Sequence, residues 1–225
     1  MKAAYDHLVA QAARQTGQLL GDLVKVIQLA TAPVQYLAAV QDRFRSFLNK
    51  SVRRVPEQRR IPPAPQIVGP VLEGLRYEPE DTPIDEMFSQ LLSHAMDSDH
   101  VHEAHPAYPI LIRQLSADEA KILVTLKREQ FDLVYTREYD REKNLFGGAA
   151  NVELDDLPRG DLIFPDNIEF YFQHLDKLGL AGIYQQGNQE PLFNGEKRQN
   201  GVRVRCKYRL TEFGVRFVQA CTSRD

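Results

Sequence analysis

Hydrophobic positions recur every three or four residues along the first half of the chain, which is the period of one face of a helix. Residues 3–50 keep this spacing, and Pro33 is expected to break or kink the helix because it lacks an amide donor. The segment Arg53–Gln66 contains four prolines and four arginines, so it predicts a solvated linker. Three further helices are predicted at 66–77, 106–114 and 117–128.

Two of the predicted helix starts carry capping residues. Thr82 can accept a hydrogen bond from a free backbone amide, and Pro83 suits the first helical position of a helix that runs to about Met96. Ser116 and Glu119 have the spacing of a capping box at the start of 117–128.

The last third of the chain changes to a period of two. A helix at Phe164–Leu178, ended by Gly179, is followed by a strand at 181–186, a polar loop, an alternating strand at 202–210 and a short final helix that starts after Thr211. This order is typical of a winged-helix module. One face of the second strand, here called the basic wing, carries four charged side chains: Arg203, Arg205, Lys207 and Arg209.

These elements predict an α+β protein that is mainly α, with helical N-terminal and middle regions and a C-terminal winged-helix-like module. We divide it into a helical arm with its linker at 1–60, a helical middle region at 61–130 and the winged-helix-like region at 131–225. The segment 147–160, which begins with two glycines, is assigned to a loop.

Charge is unevenly distributed in this chain of 225 residues, although its net charge is only −3. Residues 41–60 carry seven Lys or Arg against two acids, and 73–120 carry eleven acids against two Arg. Residues 196–209 carry six Lys or Arg against one acid. We expect these runs to neutralise each other within the fold or an oligomer. The alternative is a basic surface that meets phosphates or anionic lipid.

Composition favours a cytoplasmic protein. The two cysteines, Cys206 and Cys221, are too few for a disulfide framework and are expected to be buried apolar residues. The polar N-terminus lacks the apolar core of a secretory signal. The longest uncharged run, 26–41, is shorter than the roughly 20 residues of a membrane span.

The sequence contains no convincing catalytic constellation. Three histidines and three acids between Asp97 and His105 have metal-ligand chemistry, but their spacing is better explained by a solvated loop between helices. No Gly-x-Ser-x-Gly elbow or phosphate-binding loop is present, because Gly147-Gly148 is not followed by the residues that such loops need. We therefore expect no enzyme activity, no metal and no cofactor.

Three stretches together carry a family resemblance. They are MFSQLLSHAM at 87–96, HPAYPILIRQLSADEA at 105–120, and LDKLGLA at 175–181 together with YRLTEFG at 208–214. With this order of motifs, residues 61–221 resemble the abortive-infection alpha family of bacteria. The resemblance implies a role in defence against bacteriophage. It supplies no activity and no catalytic residue.

The sequence thus favours a non-enzymatic anti-phage protein that acts through protein interaction, with a protein partner or self-association. A first alternative is a nucleic-acid-binding regulator that uses the basic wing to contact phosphates. A second is a membrane-active effector, in which the helix at 19–40 inserts into or lies on lipid; its interrupted apolarity argues against this alternative.

Overall fold

The computed structural model describes residues 37–140 and 142–223. Contacts divide the chain into two compact units. The first, here the helical unit, contains the described residues up to Ala117 together with 219–223. The second, here the sheet unit, contains the described residues of 118–218. The part of the predicted N-terminal arm that precedes Leu37 lies outside the described residues.

The helical unit contains helices α1 (Leu37–Arg53), α2 (Pro65–Leu75), α3 (Pro83–Ala95) and α4 (Tyr108–Ile112). Short 3-10 turns occupy Glu57–Arg59 and Val101–Glu103. These helices confirm the periodicity reading of this region. The predicted Pro-rich linker separates α1 from α2 and contains the first of the two turns.

Helix α3 forms where its start signals predicted. The Thr82 side chain accepts a hydrogen bond from the Asp85 amide at 3.0 Å, and Pro83 takes the first helical position. The apolar face of α3 is buried at every position expected for it, which are Ile84, Met87, Phe88, Leu91, Leu92 and Ala95. Small polar side chains join α3 to α1, because the hydroxyls of Ser51 and Ser89 lie 3.0 Å apart.

The basic and acidic runs of the sequence meet inside the helical unit. Asp85 is 1% exposed, and its carboxylate accepts hydrogen bonds from Arg43 at 2.7 Å and Lys50 at 3.2 Å. Glu86 lies 2.6 Å from Arg54 and 3.1 Å from Lys50. A buried carboxylate needs such partners, since an unpaired charge in the interior is costly. The expectation that these two runs neutralise each other is confirmed for these pairs.

The sheet unit is built on a five-stranded antiparallel sheet. Its strands are β1 (Phe131–Asp140), β2 (Leu145–Asp155), β3 (Ala181–Gln185), β4 (Glu190–Phe193) and β5 (Gln199–Leu210). The order is β2-β1-β5-β3, and β4 also pairs with β5. β1 pairs with β5 along one edge, while β3 and β4 follow one another along the other edge.

The predicted fold class was wrong: the chain is not a mainly helical protein with a winged-helix module. β3 and β5 do pair, as predicted, but β5 is an interior strand and not half of an isolated wing. The reason is the hairpin of β1 and β2, which the sequence reading did not include. The segment 147–160, assigned to a loop, contains most of β2, whose inner edge is hydrogen-bonded to β1.

Three helices complete the second half of the chain: α5 (Ala117–Arg128), α6 (Ile168–Lys177) and α7 (Glu212–Cys221). Helix α6 ends as predicted at Gly179, whose φ of 71° is the left-handed conformation that favours glycine. The Leu180 amide then donates to the Leu175 carbonyl at 2.9 Å, which closes the C-terminal turn. Helix α7 begins after Thr211, whose hydroxyl accepts from the Gly214 amide at 2.8 Å.

Over residues 37–140 and 142–223, no helix has the length and apolarity needed to cross a membrane.

Candidate functional site on the β5 face

Strand β5 places the basic wing on one face of the sheet, as its alternation predicted. Val202, Val204, Cys206 and Tyr208 are buried on the opposite face. The four basic side chains are not buried. The predicted set is therefore brought together, on an interior strand with neighbours on both sides.

Two arginines of the wing are paired with acids of adjacent strands. Arg203 binds Glu153 of β2 with two hydrogen bonds, from Nε to Oε2 at 2.7 Å and from Nη2 to Oε1 at 3.0 Å. Arg205 donates from Nε to Oε1 of Glu190 on β4 at 2.7 Å. Glu190 also lies 3.6 Å from Arg203, so it bridges the two arginines. Such a network fixes the guanidinium groups in the plane of the sheet.

The other two basic residues also have partners in the sheet unit. The Nζ atom of Lys207 lies 3.4 Å from Oδ1 of Asp132 on β1. The guanidinium of Arg209 lies 4.4 Å from the centre of the Tyr184 ring on β3, a cation–π contact. Each member of the basic wing is therefore engaged by a neighbouring strand, and three of the four are engaged by acids.

The acidic partners are stabilised in their ionised form. The hydrogen bond from Arg203 lowers the pKa of Glu153, and the bond from Arg205 lowers the pKa of Glu190. Both carboxylates are thus charged at neutral pH, and they offset the positive charge of the arginines. Because these groups are solvent-exposed, we expect their pairing to add little to stability and to weaken with salt.

The matched region of a family model decides which family this arrangement belongs to. A model described as abortive infection alpha matches residues 36–221, which is most of the chain. The chain belongs to the abortive infection alpha family. The three motif stretches that carried the resemblance all lie within the matched residues, so that resemblance is confirmed. No curated protein and no solved structure matches the chain.

Sequence reasoning missed the acids that engage the basic wing of this abortive infection alpha protein. They are Asp132, Glu153 and Glu190, and each comes from a different strand. A signal for β1 was present, because FDLVYTREYD at 131–140 is rich in the aromatic and β-branched residues of strands. A similar alternation in NVELD at 151–155 was hidden by the preceding glycines.

Both cysteines of the abortive infection alpha chain are free and buried, as predicted. Burial raises the pKa of the Cys206 thiol, and it raises that of Cys221 well above its ordinary value. A protonated thiol is a poor nucleophile, so neither residue has the environment of a catalytic cysteine. On the same face as Cys206, the Tyr208 hydroxyl donates to Asp155 at 3.2 Å.

The histidine-rich segment of this family member lies in the helical unit, beside an open polar cavity of about 490 Å³. Glu103 joins two histidines, with its oxygens 3.2 Å from Nδ1 of His94 and 3.3 Å from Nδ1 of His100. His105 accepts from the Ala107 amide at 3.1 Å, a role at a helix start. Among the described residues, no group of three or more His, Cys, Asp or Glu has the geometry to hold a metal ion.

We expect the double substitution Glu153→Gln and Glu190→Gln to increase affinity for nucleic acid, because it frees Arg203 and Arg205 from their carboxylates. Wild-type binding to duplex or single-stranded DNA should be weak in comparison. Fluorescence anisotropy at two salt concentrations measures both affinity and its salt dependence, which steepens by up to about one unit of log–log slope for each cation that becomes available.

Glu169→Gln is the matched control, since it removes one exposed acid from α6 without touching the basic wing. Tight, salt-sensitive binding by the wild type, abolished when all four basic residues are changed to Glu, would contradict this expectation and favour the nucleic-acid alternative.

Proposed function

We propose that this protein acts in abortive infection, lowering the yield of infecting phage by binding another protein and without catalysing a reaction. The observation that carries the proposal is the match of residues 36–221 to the abortive infection alpha family. The family description supports the defence role. Protein interaction as its mechanism is supported by two features of the sheet unit.

The first feature is the charge balance of the β5 face. Glu153, Glu190 and Asp132 lie against three of the four basic side chains and reduce the positive potential that a phosphate backbone would meet. Nucleic-acid surfaces usually present uncompensated Lys and Arg. This arrangement therefore favours a protein partner over nucleic acid.

The second feature is a group of exposed apolar side chains between the sheet and α6. Ile163, Phe164 and Phe170 are 60%, 62% and 64% exposed, and they fall within eight consecutive residues. Large aromatic side chains are enriched in protein interfaces, and their exposure leaves apolar area available for burial. We assign these three residues, here the apolar triad, to contact with the protein target.

Expression of the protein in a susceptible bacterium should lower plaque counts for at least one phage of a wide panel. The triple variant Ile163→Ser, Phe164→Ser and Phe170→Ser should lose most of that protection, because it removes the apolar area without removing a buried side chain. Plaque counts at equal expression, with circular dichroism to confirm folding, make the comparison.

Tyr77→Ser is the control, because Tyr77 is 79% exposed but belongs to the helical unit. It should protect as well as the wild type. Unchanged plating of every phage with confirmed expression argues against the defence role. Protection that survives in the triple variant leaves the defence role in place and contradicts the assignment of the apolar triad.

A further inference from the structure

One edge of the sheet is long and lacks the features that protect exposed strands. Strand β2 is 11 residues long, and within the described chain it pairs only with β1. Its outer edge therefore presents unpaired amide and carbonyl groups. Between Leu145 and Asp155 it contains no proline, lysine or arginine, the residues that usually block edge-to-edge pairing.

The opposite edge is protected. β3 has five residues and β4 has four, so neither offers a long row of free backbone groups. β4 also contains Pro191, which has no amide to donate. The two edges of one sheet thus differ in the way expected if one of them is used for pairing and the other is not.

The side chains of β2 suit pairing with a copy of the same strand. Val152 and Leu154 are 54% and 42% exposed, so apolar area is available beside the backbone edge. The centre of the strand, from Gly147 to Ala150, contains only glycine and alanine, which let two backbones approach. An antiparallel pair of identical strands is also closed by a two-fold axis, so it stops at a dimer.

Charge specifies one register. With the two-fold axis at Ala150, Glu153 of one copy lies opposite Gly147 of the other, and Asp155 lies opposite Leu145, so no acids face each other. The exposed Lys143 then comes beside Asp155 and Asp156 of the other copy. The acid-bearing half of β2 meets the uncharged half, and a lysine follows it.

We propose that two copies of this protein associate through antiparallel pairing of their β2 edges, centred on Ala150, to give a continuous ten-stranded sheet. The partner is a second copy of this chain. The association does not depend on the defence role or on the apolar triad, and it can be tested with the purified protein alone.

The test uses the contact that the two-fold axis makes between identical residues. The wild type should sediment as a dimer of about twice 25.7 kDa. Ala150→Lys and Ala150→Glu should each raise the dimer dissociation constant at least about tenfold, because like charges then lie directly opposite. An equimolar mixture of the two variants should recover the dimer, because opposite charges then meet across the axis.

Two further measurements keep the result interpretable. Ile183→Lys, on the protected edge, is the matched control and should remain dimeric. Ala150→Cys should form a disulfide-linked dimer under mild oxidation, and Ile183→Cys should not; this holds even if the charged variants fail to fold. A monomeric wild type, a dimer unaffected by Ala150→Lys, or no recovery in the mixture of folded variants would overturn the proposal. Monomers that still protect cells from phage would overturn it as a requirement for defence while leaving the proposed function standing.

Discussion

We expect Gly214→Ala to be strongly destabilising, although alanine is the better helix former. A Cβ atom at this position in α7 would lie 1.8 Å from the carbonyl oxygen and 2.7 Å from the carbonyl carbon of Leu180. Both are backbone atoms, so no side-chain rotation relieves the overlap. The same carbonyl accepts the Thr211 amide at 3.0 Å, which holds it against the start of the helix.

Two opposing effects decide the size of this change. Helix propensity favours alanine by about 1 kcal/mol. Overpacking of a close backbone contact costs about 3 kcal/mol or more, so the net loss should be at least about 2 kcal/mol. Urea denaturation followed by circular dichroism would measure it. Gly160→Ala in the same unit and Gly69→Ala in α2 are controls, because nothing lies within 4 Å of a Cβ at either position. Unchanged unfolding of Gly214→Ala would refute the prediction.

Local signals were enough to predict most helix boundaries. Thr82 and Pro83 start a helix through contacts with residues three or four positions away, and Gly179 ends one through its own backbone conformation. Such signals depend on short stretches of sequence, so they can be read without knowing the fold. The capped starts and the left-handed glycine were therefore found where predicted.

The hairpin of β1 and β2 was missed because its evidence is non-local. Gly147 and Gly148 in β2 are poor strand formers and read locally as a loop. β2 is a strand because it hydrogen-bonds to β1, with irregular register near Val134 and Thr136. Pairing with a neighbour overrides local propensity in such segments. Without this hairpin, β3 and β5 alone gave the pattern of a wing.

The candidate site shows the same limit. Alternation along β5 predicted which side chains share a face, since it needs only a period of two. It could not predict that Arg203 meets Glu153, 50 residues away in the chain, because that contact requires the order of three strands. The sequence therefore identified the basic residues but not the acids that neutralise them.

Asp118 provides the last and most stringent expectation, because its carboxylate joins three separated parts of the sheet unit. It is 2% exposed, although it lies in the first turn of α5. Its oxygens accept hydrogen bonds from the amides of Ile163 and Phe164, each at 2.8 Å, and from the Tyr171 hydroxyl at 3.0 Å. Burial alone would raise the pKa of Asp118, but these hydrogen bonds hold it below its ordinary value.

We expect Asp118→Asn to lower the free energy of unfolding by about 3 kcal/mol near neutral pH, because an amide cannot accept all three bonds and leaves a buried donor unsatisfied. A carboxylate with a depressed pKa stabilises the fold at pH values above its unfolded pKa of about 3.9, and that stability is lost as the pH falls through the lower folded value. The difference between wild type and variant should therefore be constant from pH 5 to 8 and shrink below about pH 4. Urea denaturation across this range would measure it, with the exposed Asp161→Asn in the same loop as control. A difference that stays the same down to pH 2, or a variant as stable as the wild type at pH 7, would show that the charge of Asp118 does not hold these segments together.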